Sequence, residues 1–276
     1  MPPVVLMTDF GLQDIYVGVM KGVISQLAPQ AALIDLTHAI HPQNIRQAAF
    51  KLRNAYRYFP AGSVFLVVVD PGVGSVRHPI AVQAGDYTFV APDNGVLSYT
   101  LDSIGGFSQA VAIRVDTPPL SNTFHGRDIF APAAGKLAAG AALEALGDSV
   151  SELVRLPVPI LQLEPQRIVG EIVDIDHFGN LVTSIGELQH DDETLALTPV
   201  FGESRNTLRF RRVMSQVTLG ETVIDGIQRT YADTPVDSLM TLVGSSGFLE
   251  ISINQGNAAQ FLHASIGDPV EIRVGE

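Results

Sequence analysis

Asp70, Arg77 and His125 are the residues whose types and setting best suit chemistry. Asp70 closes an apolar run at 64–69, Arg77 follows it by seven residues across Pro71-Gly72-Val73-Gly74, and His125 lies in Asn122-Thr123-Phe124-His125-Gly126-Arg127-Asp128. A carboxylate and a guanidinium closing across a glycine turn form an ion pair, which in isolation reads first as structural. A histidine beside Arg127 and Asp128 has charge partners and is expected to titrate near neutrality. Asp9 and Asp14 flank a second polar loop, Thr8 to Asp14. A carboxylate there suits a vicinal diol or a divalent cation, or caps the helix that follows. The Asp70 loop lacks the Gly-Lys-Ser/Thr ending of a triphosphate cradle. His38 and His41 have no third ligand at a family-type spacing and read as loop residues.

These residues need a scaffold that brings separate loops together. Residues 4–7, 32–36, 64–69, 80–82, 88–90 and 111–115 are short β-rich apolar runs. Apolar residues at every position mark strands covered on both faces. Between them, Val19, Met20, Val23, Ile24 and Leu27 line one face of a helix that Pro29 stops, and residues 43–57 and 130–142 read as further helices. The expected fold is α/β, with a mostly parallel sheet flanked by helices over residues 1–155. Pro157, Pro159 and Pro165 place a linker at 156–166. Residues 167–276 show short alternating strands, among them 168–175 and 207–213, and read as an all-β, barrel-like domain. Ligands of open α/β sheets collect beyond the carboxyl ends of the strands, where the three polar loops fall. The second domain adds Asp176-His177-Phe178-Gly179-Asn180 and Gly244-Ser245-Ser246-Gly247-Phe248.

Bulk properties narrow the partners. With 17 Lys plus Arg against 29 Asp plus Glu, the net charge is −12, which repels phosphate backbones and anionic lipid. Nucleic acid and membrane are therefore not expected as partners. The chain has no cysteine, so thiol catalysis, disulfides and thiolate metal sites are excluded. No apolar run approaches the roughly 18 residues of a membrane span. Nothing at the start of the sequence resembles an export signal, so a cytoplasmic protein is expected.

Six segments in order, Thr8-Asp9-Phe10-Gly11, Val69-Asp70-Pro71-Gly72-Val73-Gly74, Ala91-Pro92-Asp93-Asn94-Gly95, Phe124-His125-Gly126-Arg127-Asp128, Asp176-His177-Phe178-Gly179-Asn180 and Ser245-Ser246-Gly247-Phe248-Leu249-Glu250, resemble the S-adenosyl-methionine hydroxide adenosyltransferase family, relatives of the fluorinases and chlorinases. The resemblance implies an α/β domain joined to a β-barrel domain. It also implies a homotrimer, with the ligand between the first domain of one subunit and the second domain of its neighbour. The implied reaction is hydrolysis of S-adenosyl-methionine to adenosine and methionine, without metal or cofactor. Asp70, Arg77 and His125 fall on the family's catalytic set. Asp9 matches the residue on the ribose diol, while Asp14 and Tyr16 border the methionine part. Asp176, Asn180 and Ser245 match residues on the amino-acid end, Asn254 and Gln255 fall where adenine is read, and Tyr231 is a candidate for stacking on the base. Halogenating members carry Ser at Gly126 and an aromatic residue at Asp70, and the fluorinase has Trp and Arg at Gln43 and Ser246. The missing Ser hydroxyl at Gly126 favours water over halide as nucleophile, and Gln43 and Ser246 mean that the family's methionine and ribose contacts do not carry over intact. The alternatives are halogenation of the same substrate and a binding protein that senses S-adenosyl-methionine or adenosine without turning it over.

Overall fold

The computed structural model describes residues 1–115 and 120–275, and its contacts divide the chain into two compact units, 1–156 and 157–276. The first unit runs β1 (Val4–Thr8), α1 (Tyr16–Leu27), β2 (Leu33–Thr37), α2 (Ile45–Ala55), β3 (Val64–Val68), β4 (Pro79–Ala84), β5 (Tyr87–Pro92), α3 (Ser98–Ile104), β6 (Gln109–Ile113), α4 (Ala131–Ala138) and β7 (Gly147–Ser149). The strands form one sheet in the order β2-β1-β3-β5-β4-β6-β7. The ladders β2-β1, β1-β3 and β3-β5 are parallel, whereas β5-β4, β4-β6 and β6-β7 are antiparallel. The change of direction comes at the β4-β5 hairpin. Its turn is made by Gly85 at φ +51° and Asp86, and a turn this short joins only antiparallel strands.

Period-two alternation sends the side chains of one strand to two cores. Val4 and Leu6 of β1 pack with Met20, Ile24, Phe130 and Ala134 on one face of the sheet. Val5 and Met7 pack with Ala48, Leu52, Phe65 and Leu101 on the other. This is why the strand runs are apolar at every position. In α1 the inward stripe is Val17, Met20 and Ile24, and the chain leaves the helix at Ala28, one residue before Pro29.

The order β2-β1-β3 places a topological switch point between β1 and β3. The chain leaves β1 to one side through α1 and returns to the other side through α2, which opens a crevice beyond the carboxyl ends of these two strands. Thr8 is in register with Val68. The loops that begin with Asp9 and Val69-Asp70 therefore leave the sheet side by side.

The second unit comprises β8 (Leu161–Glu164), β9 (Arg167–Ile175), β10 (Leu181–Gly186), β11 (Leu188–Asp191), β12 (Thr194–Leu197), β13 (Leu208–Arg211), β14 (Gln216–Leu219), β15 (Thr222–Asp225), β16 (Leu239–Val243), β17 (Phe248–Ile253), α5 (Ala258–Leu262) and β18 (Pro269–Arg273). Its main sheet runs β15-β14-β18-β9-β10-β17-β16, entirely antiparallel, with β8 added on β9. Gln228, just past β15, bridges to Leu242 of β16, so the two ends of the sheet approach and the barrel nearly closes. β11, β12 and β13 form a separate three-stranded sheet. Part of the Pro-rich stretch is itself structured, since β8 lies within 156–166 and pairs with β9. No helix among the described residues is long and apolar enough to cross a membrane.

Candidate active site

The loop after β3 is a pair of successive turns, closed by Val73 N–H donating to Asp70 O and Ser75 N–H to Gly72 O. They carry the chain back so that Arg77 meets Asp70. Arg77 Nε donates to Asp70 Oδ1 at 2.9 Å and its Nη2 donates to Oδ2, a two-pronged grip that matches the guanidinium fork to the carboxylate. Both side chains are nine-tenths or more buried. The guanidinium lies 5.3 Å from the centre of the Phe130 ring, over its face. Asn94 Nδ2 donates to Val69 O at 2.9 Å and fixes the strand end from which Asp70 leaves. Gly74, at φ +77°, brings this loop against Asn122, and a Cβ there would stand 3.0 Å from the Asn122 carbonyl. The loop bearing His125 can thus press on the loop bearing Arg77.

His125 opens a π turn, Gly126–Phe130, that runs into α4. Its Nδ1 lies 2.9 Å from Arg77 Nη2. A guanidinium only donates, so Nδ1 is the acceptor and the hydrogen of the neutral ring sits on Nε2. Burial, and then the positive charge of Arg77, lower the His125 pKa below the ordinary 6.5, while Asp70 and Asp128 oppose this with smaller effects. The sequence had suggested Arg127 and Asp128 as its charge partners. Asp128 does act on His125, and it also pairs with Arg127, whose Nε donates to Asp128 Oδ1 at 2.6 Å and Nη2 to Oδ2 at 3.0 Å; this hydrogen bonding holds the Asp128 carboxyl below its usual range.

What the cluster has left to offer is therefore specific. Both Asp70 oxygens face Arg77, and His125 Nδ1 is occupied. The hydrogens on Arg77 Nη1 and on His125 Nε2 have no partner among the described residues. The site presents two free donors beside the Asp70 carboxylate.

Around it, Phe10, Tyr16 and Phe124 meet edge to face, with centroids 5.0 to 6.3 Å apart. Gly126 packs into this group: a Cβ there would lie 3.0 Å from Met20 Sδ and 3.2 Å from the Phe124 ring. Asp9 Oδ2 accepts from Gln43 N–H at 2.7 Å, with Gln43 at φ +67°. Asp14 is exposed and does not cap α1, whose first turn begins at Ile15 without a side-chain cap. His38 is a loop residue with a defined place. It is buried, with Nδ1 2.8 Å from Thr8 Oγ1 and Nε2 2.9 Å from Asp35 Oδ1.

The second unit carries a cluster of its own. Asp176 Oδ1 accepts from the backbone N–H of Phe178 at 2.8 Å and of Asn180 at 2.9 Å, and its Oδ2 accepts from Asn180 Nδ2 at 2.9 Å. Gly179, at φ +87°, lets the turn lie on Asn257, the residue that caps α5. Asn180 Nδ2 stands 3.5 Å from the Tyr231 hydroxyl, which donates to the buried Glu250. Burial, then Glu250, raise the Tyr231 pKa far above its ordinary value. Tyr231 thus belongs with Asp176 and Asn180. Ser245 is exposed in the turn between β16 and β17. Asn254 Nδ2 donates to Thr234 O at 2.7 Å and Gln255 adopts φ +61° just beyond β17. Glu250, Phe130 and Asn94 went unread as site residues. Glu250 and Asn94 lie in the quoted segments Ser245 to Glu250 and Ala91 to Gly95, which was the available signal.

A part-buried Asp-Arg-His cluster at the switch point of an α/β unit, followed by a nearly closed barrel that carries a polar cluster of its own, defines a two-unit enzyme fold for a small polar molecule. The chain belongs to the SAM hydroxide adenosyltransferase family: residues 4–147 match its N-terminal domain and residues 170–271 its C-terminal domain. It is 38% identical to an (R)-S-adenosyl-L-methionine hydrolase of Salinispora arenicola, over 97% of this chain and 96% of that one. It is 37% identical to an enzyme of the same name from Thermus thermophilus, over 99% and 100%. Fluorinases match at 25 to 29% identity. A crystal structure of an uncharacterized conserved protein from Thermotoga maritima superposes with a TM-score of 0.83 at 35% identity, covering 98% of this chain and 99% of that one.

Proposed function

We propose that this chain hydrolyses S-adenosyl-L-methionine to adenosine and L-methionine. The carrying observation is the pair of unpartnered donors, Arg77 Nη1–H and His125 Nε2–H, in the Asp70-Arg77-His125 cluster. Two N–H groups beside a buried positive charge bind an oxygen through its lone pairs and favour hydroxide over water. In the reaction the oxygen attacks the ribose 5'-carbon, the O–C bond forms, and the C–S bond breaks with its electron pair passing to sulfur. The sulfonium leaves as the neutral thioether of methionine and needs no acid. The water's proton leaves to solvent as the O–C bond forms. What remains is to hold oxygen, carbon and sulfur in line, and such positioning contributes about 7 to 11 kcal/mol.

Asp70 fixes the guanidinium plane, Arg77 supplies charge and a donor, and His125 Nε2–H orients the oxygen. Asp9 binds the ribose diol, with Asp14 and Tyr16 bordering the methionine chain. Asp176, Asn180 and Ser245 hold the amino-acid end, Asn254 and Gln255 read adenine, and Tyr231 lies against the ligand. Neither metal nor cofactor takes part. The protein assembles as a homotrimer in the cytoplasm, each site completed by the neighbouring subunit.

Free N–H donors also suit a halide, so the two nucleophiles are separated by product analysis. Incubation with S-adenosyl-L-methionine in the presence of chloride or fluoride, followed by chromatography, is expected to yield adenosine and methionine. A 5'-halo-adenosine, free adenine or unchanged substrate would overturn the reading. Gly126 favours hydrolysis, since it offers no hydroxyl donor to a halide.

A further inference from the structure

Glu250 on β17 is a buried carboxylate, 8% exposed, that the reaction above does not use. Its Oε1 accepts from the Tyr231 hydroxyl and from Ser252 Oγ, the latter at 2.9 Å. Its Oε2 backs against the chain at Gly244, where a Cβ would stand 2.6 Å away, and Gly244 opens the turn that carries Ser245. An ionised carboxylate only accepts, so the Tyr231 hydrogen is committed to Glu250 and the phenol oxygen is left as an acceptor. The raised pKa of Tyr231 keeps that hydrogen in place. Asn180 Nδ2 then faces both the phenol oxygen and Asp176 Oδ2, at 3.5 and 2.9 Å, which turns the amide oxygen away from them. The group thus offers acceptor oxygens from Asp176 and Tyr231. Such a surface fits a cationic N–H donor.

We infer that Glu250 is a positioning residue that, by holding the Tyr231 hydrogen, sets this group to select the ammonium group of an amino-acid-bearing substrate. The inference rests on the proposed hydrolase reading and adds a selectivity device to it.

The test compares wild type with Glu250→Ala, Glu250→Gln and Tyr231→Phe. Steady-state kinetics with S-adenosyl-L-methionine are paired with calorimetric affinity for the intact substrate in an Arg77→Ala background, where turnover is suppressed. Glu250→Ala and Tyr231→Phe are expected to raise KM and weaken affinity about tenfold, the size of one lost hydrogen bond to a charged group, with kcat within about twofold. Glu250→Gln keeps an accepting oxygen and is expected to fall between. Against an analogue lacking the α-amino group, wild type and variants should bind alike. In ultraviolet titration of Glu250→Gln, one tyrosine should ionise at lower pH than in wild type. Wild-type affinity in both Glu250→Ala and Tyr231→Phe, or an equal loss toward the des-amino analogue, overturns the inference. If Glu250→Ala does not fold, Glu250→Gln and Tyr231→Phe with wild-type circular dichroism carry the comparison. Absence of adenosine and methionine from the wild-type reaction would instead overturn the hydrolase reading, while the affinities still decide the role of Glu250.

Discussion

Arg77 is where the chemistry of one residue type matters most. Its Nε and Nη2 grip Asp70 while Nη2 also reaches His125, a geometry that a planar fork supplies and a point charge does not. Arg77→Lys keeps the charge that Asp70 needs but cannot hold both partners. The variant is expected to fold, with urea unfolding within about 1–2 kcal/mol of wild type, yet to lose roughly 10²- to 10³-fold in kcat, the size of a lost preorganised donor. Near-wild-type kcat would remove Arg77 from the mechanism. His125 supplies a second expectation. Its pKa in the fold is lowered, first by burial and then by Arg77. Above the ordinary imidazole value of 6.5 it is neutral folded and unfolded alike. As pH falls from there toward the lowered folded value, the unfolded chain binds the proton first, so this group's contribution to stability is lost across that window and levels off below it. Urea unfolding of wild type minus His125→Asn, followed as pH falls below 6.5, should show that slope. The acid limb of kcat/KM should likewise lie below the ordinary imidazole pKa.

Elements set these residues in place, and the sequence reveals some of them better than others. The loops after β1 and β3 were legible because an apolar run ending in Asp, followed by glycine turns, has few other meanings. The antiparallel half of the first sheet was not, since a run buried on both faces reads the same whichever way its neighbour points. β8 was hidden because Leu161 to Glu164 is a four-residue alternation inside a Pro-rich stretch. Glu250 looked like an ordinary strand residue: its role arises from Tyr231, nineteen positions away in sequence and brought close only by the barrel. The pairing of Arg77 with His125 could not be read from spacing, because Arg127 lies nearer in sequence; only the family resemblance grouped the two. One connection can be tested directly. Gly179 holds φ +87°, and a Cβ there would lie 2.2 Å from the Asn257 side chain. Gly179→Ala is expected to destabilise by about 1–3 kcal/mol and to raise KM by shifting the Asp176–Asn180 turn. Asn257→Ala alone loses only the cap of α5, about 1 kcal/mol. The double variant, with the collision removed, should be less destabilised than the sum of the two, which urea denaturation measures.

For the whole molecule, the two clusters belong to different units of the chain, the donor cluster to residues 1–156 and the acceptor rim to residues 157–276. A substrate with an ammonium group at one end and an electrophilic carbon near its middle needs both. In the proposed trimer each site takes its donor cluster from one subunit and its rim from the next, and this arrangement predicts complementation. Arg77→Ala spoils only the first cluster and Asp176→Ala only the second, so each variant alone should retain little kcat/KM. When the two are co-expressed in equal amounts, a site is intact if the subunit giving the donor cluster carries Asp176→Ala and the subunit giving the rim carries Arg77→Ala. Random assembly meets both conditions with probability one half each, so about one quarter of wild-type kcat/KM per site should return. If each site were built within one chain, every site would keep one lesion and mixing would restore nothing. Activity of the co-purified, doubly tagged mixture, measured against the two separate variants, decides between the arrangements, and sedimentation of the same sample reports whether three subunits are present.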